Sequence, residues 1–239
     1  MRYRPRDFRN ENTEVLEKLT KNNPYIKKIY DYPDLLIPNP TPENFKQLWN
    51  FKFKENNFDS SSGIIHIEIG CGSGFYLIEW AKENPNDTFV GFELRFKRLV
   101  LAARKIASQK INNILLLRER GEFLDEYLPH ESIDYLHINF PDPWPKKSHR
   151  KHRILTADFL EKIYPFLRYK GVLRLKTDHL EYFETITNIL KGNNNYNIVE
   201  HTTDLYKSNL NKNNILTEFE MLFKSKGNPP IAFLIAKKV

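Results

Sequence analysis

From residue 64 the chain alternates between short apolar runs rich in β-branched residues and longer segments whose apolar positions recur at helical spacing. The strand-like runs cover residues 64–69, 88–93, 114–117, 133–139 and 171–177. The helical segments cover 75–83, 96–108, 123–128, 157–167 and 179–190. This βαβα order leaves few solutions. Parallel strands need long crossovers, the crossovers are helices, and helices on both faces bury the strands. The expected fold is therefore α/β, with a mostly parallel sheet covered on both faces. The end departs from the pattern. Residues 217–224 and 231–237 both look strand-like and are joined by Gly227-Asn228-Pro229-Pro230, which predicts a C-terminal antiparallel hairpin.

Residues 1–62 read as an N-terminal extension on a main domain of residues 63–239. Pro24, Pro33, Pro38, Pro40 and Pro42 punctuate the extension, leaving room for two short helices. One spans about residues 12–21. The other starts with Thr41 as N-cap and Pro42 in the first helical position. Its Phe45, Leu48, Trp49 and Phe53 recur at helical spacing and are expected to pack on the main body. The Asn-rich stretches at 193–197 and 209–214 read as polar loops.

Composition excludes several classes. No apolar run approaches the ~18 residues that a membrane span needs. The start, Met1-Arg2-Tyr3-Arg4-Pro5-Arg6, has no apolar stretch behind it, so no secretory signal is expected. Cys71 is the sole cysteine, so no internal disulfide and no multi-cysteine zinc cage can form. A soluble, cytoplasmic protein with no membrane partner and no metal site is expected. Lys and Arg number 37 against 30 acids, a net +7 that permits a polyanionic partner. The cations cluster: residues 144–153 hold five Lys/Arg and residues 95–110 hold six, both without an acid.

Glu68-Ile69-Gly70-Cys71-Gly72-Ser73-Gly74 follows the first strand and opens a helix. Glycines there let the backbone approach a ligand at a helix N-terminus. The spacing is G-x-G-x-G, with Phe75 where a dinucleotide fingerprint has its third glycine, which argues against a nicotinamide oxidoreductase. Glu68 would repel phosphates and suits a cationic ligand; S-adenosylmethionine carries a sulfonium and an ammonium. Glu93, 25 residues on, ends the second strand, where an acid accepts hydrogen bonds from ribose hydroxyls. Cys71 is read as a small loop filler, since no positioned histidine partner makes it a nucleophile.

After the fourth strand comes Asn139-Phe140-Pro141-Asp142-Pro143-Trp144-Pro145-Lys146-Lys147. Its prolines impose a rigid, non-helical loop beyond the carboxyl end of a parallel strand, where α/β sheets bind ligands. A carboxylate followed at once by a polycation points to chemistry on a nucleic acid, with cations on phosphates and the loop addressing a base. Trp144 is either a stacking face for that base or a loop anchor.

Together these motifs resemble the bacterial tRNA (guanine-N7-)-methyltransferases, which have a Rossmann-like S-adenosylmethionine-dependent methyltransferase fold. The resemblance runs over most of the chain. It rests on the glycine loop, on Gly91-Phe92-Glu93, on the Pro-Asp-Pro-Trp loop with its basic tail, on Thr177-Asp178, and on Thr217-Glu218-Phe219-Glu220. It implies that S-adenosylmethionine is held by Glu68, Gly70, Gly72, Gly74, Glu93 and Asp142, and that Asp142 is also catalytic. It implies substrate contacts from Lys146, Asp178, Thr217, Glu218, Phe219 and Glu220. It implies RNA contacts from Ser148, His149, Arg150, Lys151, His152 and Arg153. The substrate of the family is a guanine in the tRNA variable loop. One departure concerns the acid after the third strand, which contacts the adenine of the cofactor. The stretch reads Leu117-Arg118-Glu119-Arg120-Gly121. Spacing to Pro129 puts Glu119 in that slot, and the small residue puts Arg120 there; Glu119 is taken as the candidate.

The implied chemistry is in-line methyl transfer to guanine N7, whose lone pair is free at neutral pH. Catalysis then consists of positioning and electrostatics, with Asp142 favouring the positive charge that moves onto the purine. Asp178 has a plainer alternative as N-cap of the helix that follows it. Two competing functions remain in view. Amino methylation of adenine would use an Asn-Pro-Pro-Tyr loop, from which Asn139-Phe140-Pro141-Asp142 departs. A non-catalytic RNA-binding protein would leave the glycine loop, Glu93 and Asp142 without a purpose.

Overall fold

The computed structural model describes residues 21, 23–53, 63–224, 227 and 229–239. The expected helix near residues 12–21 and the N-terminal arginines lie outside them. The described residues fall into two compact units, one running to Gly63 and resuming over Ile69–Tyr127, the other comprising Ile64–Glu68 and Leu128–Val239.

The first unit opens with a turn of helix, α1 (Tyr25–Lys28), and a two-residue strand, β1 (Leu36–Ile37). Helix α2 (Pro42–Lys52) begins as its sequence predicts: Thr41 Oγ1 accepts from Asn44 N at 3.2 Å, and Asn44 Oδ1 accepts from Thr41 N at 2.8 Å. Its Phe45 and Trp49 are buried, and Phe45 meets the Tyr127 ring edge-on at 5.7 Å. Strands β3 (Thr88–Phe92) and β4 (Ile114–Leu117) pair in parallel, and β1 pairs in parallel with β4 through Leu36↔Leu116 and Ile37↔Leu117. Every residue of β3 and β4 is buried, the signature of strands covered on both faces. The cover includes α3 (Phe75–Glu83) and α4 (Phe96–Ser108), whose Leu77, Ile78, Leu99, Ala102 and Ile106 share one core with Phe89 and Leu116. Strand β1 escapes sequence reading because two residues carry no periodicity. Pro38 and Pro40 close it, and an edge position tolerates their missing N–H groups.

In the second unit the strands run in the order β2 (Ile65–Ile69, here through residue 68), β5 (Ile133–Asn139), β6 (Leu167–Thr177), β8 (Ala232–Lys238), β7 (Tyr196–Thr202). β5 and β6 are parallel, from Tyr135↔Val172 to Asn139↔Lys176. β8 runs antiparallel to both β6 and β7. Helices α5 (Ala157–Ile163) and α6 (Leu180–Lys191) bury Leu160, Ile163, Phe183 and Ile186.

The antiparallel pair at the C-terminus is present, but its first arm is β7 rather than residues 217–224, which form helix α7 (Glu218–Lys224). The reason is local. Thr217 Oγ1 accepts from Glu220 N at 3.1 Å while Glu220 Oε2 accepts from Thr217 N at 2.8 Å, a capping box that starts a helix. The alternation of Phe219, Met221 and Phe223 imitates a strand. β7 in turn hides behind its Asn-rich approach, where Asn193 Oδ1 accepts from Asn195 N at 2.9 Å and turns the chain into the strand.

Candidate active site

In the first unit, Gly70, Gly72 and Gly74 all adopt left-handed conformations, with φ of 75°, 55° and 77°. A side chain at Gly74 would also stand 2.9 Å from the Ala102 Cβ, whereas at Gly70 the space is open. The loop hangs from the end of β3: Gly70 N and Cys71 N both donate to Phe92 O, at 2.8 and 3.0 Å. Glu93 grips it from the same end. Its Oε2 accepts from Gly72 N at 3.1 Å and its Oε1 from Leu94 N and Arg95 N at 2.7 and 2.8 Å. A carboxylate has about four lone-pair sites, so one is left for another donor. Lys105 supports the loop from α4, donating to Ser73 O at 3.2 Å and Ser73 Oγ at 3.1 Å. Sequence reading gave Lys105 no role, because a lysine on an amphipathic helix carries no signal of its target.

The alternatives after β4 separate in the structure. Glu119 is buried, with Oε1 accepting from Arg120 N at 2.8 Å and Oε2 from the Tyr127 hydroxyl at 3.0 Å. Arg120 pairs instead with Glu122 on the surface. Cys71 is buried. An open glycine at a strand end, flanked by carboxylates, suits a ligand that offers hydroxyl donors and a cationic centre.

In the second unit Glu68 is 2% exposed and accepts from Asn139 Nδ2 at 3.0 Å. Beyond Asn139 the Pro-Asp-Pro-Trp loop bends through two left-handed non-glycine residues, Phe140 at φ 49° and Trp144 at φ 40°. Such backbone persists where its surroundings over-determine it. Phe140 N donates to Lys176 O at 2.8 Å, and its ring lies against Phe219 and Phe223 of α7, at 5.5 and 5.8 Å. Trp144 is half-buried between His149 and His152, at 5.8 and 5.3 Å, which makes it a local anchor of the turn that follows. Between these fixed points Asp142 is exposed and makes no hydrogen bond among the described residues.

The basic segment is a 3-10 turn, Lys147–His152, exposed throughout. Lys146, Lys147 and Lys151 face solvent, whereas Arg150 pairs with Glu181 at 3.1 Å. Arg153 differs from its neighbours. It is buried, donating from Nε to Pro143 O at 2.7 Å and from Nη2 to Glu181 Oε2 at 2.6 Å. Asp178 is exposed at the end of β6, and the N-cap of α6 is His179, whose Nδ1 accepts from Tyr182 N at 3.2 Å. The capping alternative for Asp178 therefore does not hold.

Thr217 and Glu220 are 4% and 0% exposed. Glu220 Oε2 also takes the Lys176 ammonium at 2.9 Å, and Lys176 Nζ donates further to Ile215 O at 2.7 Å. Burial lowers the Lys176 pKa to about 8, with Glu220 opposing the shift. Phe219, 45% exposed, is the ring of this motif that meets solvent. Lys176 and Asn139 went unassigned from sequence, although a lysine between buried Leu175 and Thr177 is itself an anomaly in a strand. Among the described residues there is no cluster of three or more metal-ligating side chains, and no helix long and apolar enough to cross a membrane.

Residues 62–232 match a family described as putative methyltransferase. The chain is 36% identical over 203 residues to a tRNA (guanine-N(7)-)-methyltransferase of Clostridium tetani, covering 85% of this chain and 91% of that one. It is 39% identical over 218 residues to a bifunctional glycosyltransferase/methyltransferase of Fusobacterium nucleatum subsp. nucleatum, covering 91% of this chain. The match spans only 33% of that longer protein. The fold is shared with a solved putative rRNA methylase from Clostridium thermocellum, at a TM-score of 0.53 and 14% identity, covering 74% of this chain and 89% of that one.

Proposed function

The chain belongs to the family of tRNA (guanine-N7-)-methyltransferases, and on that footing we propose that it methylates N7 of a variable-loop guanine in cytoplasmic tRNA, with S-adenosylmethionine as donor. The observation that carries the reading is the exposed Asp142 carboxylate, which makes no hydrogen bond among the described residues, is set between the fixed residues Phe140 and Trp144, and is followed by an exposed basic turn. In this reading residues 63–239 are the methyltransferase domain, and residues 1–62 are its extension.

When bound, S-adenosylmethionine supplies an electrophilic methyl group on a sulfonium. The glycine loop offers a close backbone approach, Glu93 accepts from a ribose hydroxyl while holding Gly72, and Glu119 serves the adenine. Glu68, buried beside Asn139, adds negative charge that favours a cationic ligand. No proton has to leave N7 before attack, so Asp142 acts by charge and orientation, stabilising the positive charge that develops on the purine. Lys146, Asp178 and Phe219 are exposed and able to meet substrate, whereas Thr217 and Glu220 act through the shape of α7. Ser148, His149, Arg150, Lys151 and His152 meet phosphates. The test is incubation with labelled S-adenosylmethionine and total tRNA, followed by nucleoside analysis. Label in 7-methylguanosine supports the reading. Label in N6-methyladenosine, or RNA binding without any transfer, overturns it.

A further inference from the structure

Of the cations in the basic segment, Arg153 alone is withdrawn from solvent, its side chain 4% exposed against 45% for Arg150. Its guanidinium has three engagements. Nε donates to Pro143 O at 2.7 Å, Nη2 donates to Glu181 Oε2 at 2.6 Å, and the plane lies over the Tyr182 ring with its carbon 4.4 Å from the centroid. Glu181 sits in the first turn of α6 and also takes Arg150 at 3.1 Å and the Thr185 hydroxyl at 3.3 Å. The Arg153 hydrogen bond holds the Glu181 carboxyl below its ordinary pKa. The Tyr182 hydroxyl accepts from Leu155 N at 3.0 Å, so α6 grips the chain on both sides of Ile154. The carbonyl that Arg153 holds belongs to the residue immediately after Asp142.

We propose that Arg153 and Glu181 are positioning residues for the Asp142 loop: the pair anchors the Pro143 carbonyl to α6 and so sets the direction of the Asp142 carboxylate, and Arg153 is not a phosphate contact. This rests on the methyl-transfer reading above. A guanidinium fork suits the task because it reaches a carbonyl and a carboxylate in fixed relative directions, which an ammonium does not. At the other end of the loop the Phe140 ring lies against α7, so Asp142 is braced from both sides.

The two roles give opposite results for conservative variants. If Arg153 met phosphate, Arg153→Lys would keep most of its effect, and Glu181→Gln, by removing a competing acid, would leave kcat unchanged or improve tRNA binding. If the pair is a brace, Arg153→Lys and Glu181→Gln both lower kcat, by about tenfold or more, since misplacement of a reacting group by 1 Å costs on the order of a hundredfold. The KM for tRNA should not rise in either, and Arg153→Ala should leave the salt dependence of tRNA affinity unchanged. The double variant should be no slower than the worse single one, because both break the same brace. Circular dichroism should match the wild type in each variant and so report intact folding. Wild-type kcat in Glu181→Gln, or a salt slope shallower by about 0.7–0.9 in Arg153→Ala, would overturn the proposal. Failure of the wild-type protein to methylate tRNA would instead overturn the underlying reading.

Discussion

Replacing Lys176 with methionine should destabilise the protein, and the deficit should grow with pH. Lys176 and Glu220 are 1% and 0% exposed and bonded at 2.9 Å. Methionine keeps the length of the side chain but leaves the Glu220 carboxylate, among the described residues, with the Thr217 N–H and the Asn214 amide as donors. Breaking a buried ion pair by removing one partner costs about 3–5 kcal/mol. For a chain of this size that lowers Tm by roughly 6–20 °C. The pH dependence has a definite sign. The Lys176 pKa is about 8 in the folded protein against 10.5 for an unperturbed lysine. Between those values the unfolded chain keeps a proton that the folded chain has released. Unfolding therefore takes up a proton, and the wild-type contribution rises with pH by ~1.4 kcal/mol per unit, approaching ~3 kcal/mol above the upper value. Lys176→Met lacks this slope, so its gap from wild type should widen from pH 8 to 10.5. The assay is urea unfolding of both proteins across that range. A gap that narrows with pH would mean that the site stabilises the ammonium, and equal stability at pH 7 would mean that the pair holds nothing.

Three further outcomes are expected. Asp142→Asn keeps the size of the side chain and removes its charge, so single-turnover methyl transfer should slow at least tenfold, about 1.4 kcal/mol, with tRNA affinity intact; a rate within about twofold of wild type refutes the electrostatic role. Glu93→Ala removes the acceptor for the Gly72, Leu94 and Arg95 amides, and calorimetry should show S-adenosylmethionine binding weakened by about 1.5–3 kcal/mol, roughly 10- to 160-fold in Kd. Replacing the exposed Lys147 and Lys151 together with alanine should make the log–log salt dependence of tRNA affinity shallower by about 1.5; parallel lines would show that these lysines do not meet the RNA.

What could be read from the sequence depended on how local its cause was. The parallel core strands announce themselves because both faces are buried, which forces continuous apolar runs such as Ile114 to Leu117. Thr41-Pro42 states the start of α2 through cap and proline alone. The same kind of signal, Thr217 followed three residues later by Glu220, was hidden by a strand-like alternation, and only the hydrogen bonds decide for a helix. The glycine loop, Glu93 and Asp142 stand out as residue types at strand ends. Lys105, Lys176 and Glu181 do not, because their partners are distant in sequence: Lys105 reaches back 32 positions to Ser73, and Lys176 reaches forward 44 positions to Glu220. Arg153 is the sharpest case. In the sequence it is one more cation of a basic run, and its burial depends on Pro143 and Glu181, which no local pattern connects to it.

The proposed activity is methyl transfer to a single guanine. It is tested most directly by incubating the protein and S-adenosylmethionine with one tRNA transcript, then cutting the product at 7-methylguanosine with borohydride and aniline. One cut is expected, in the variable loop, and it disappears when that guanine is replaced by adenine. Methylation that persists on the altered transcript, or a cut elsewhere in the tRNA, would contradict it.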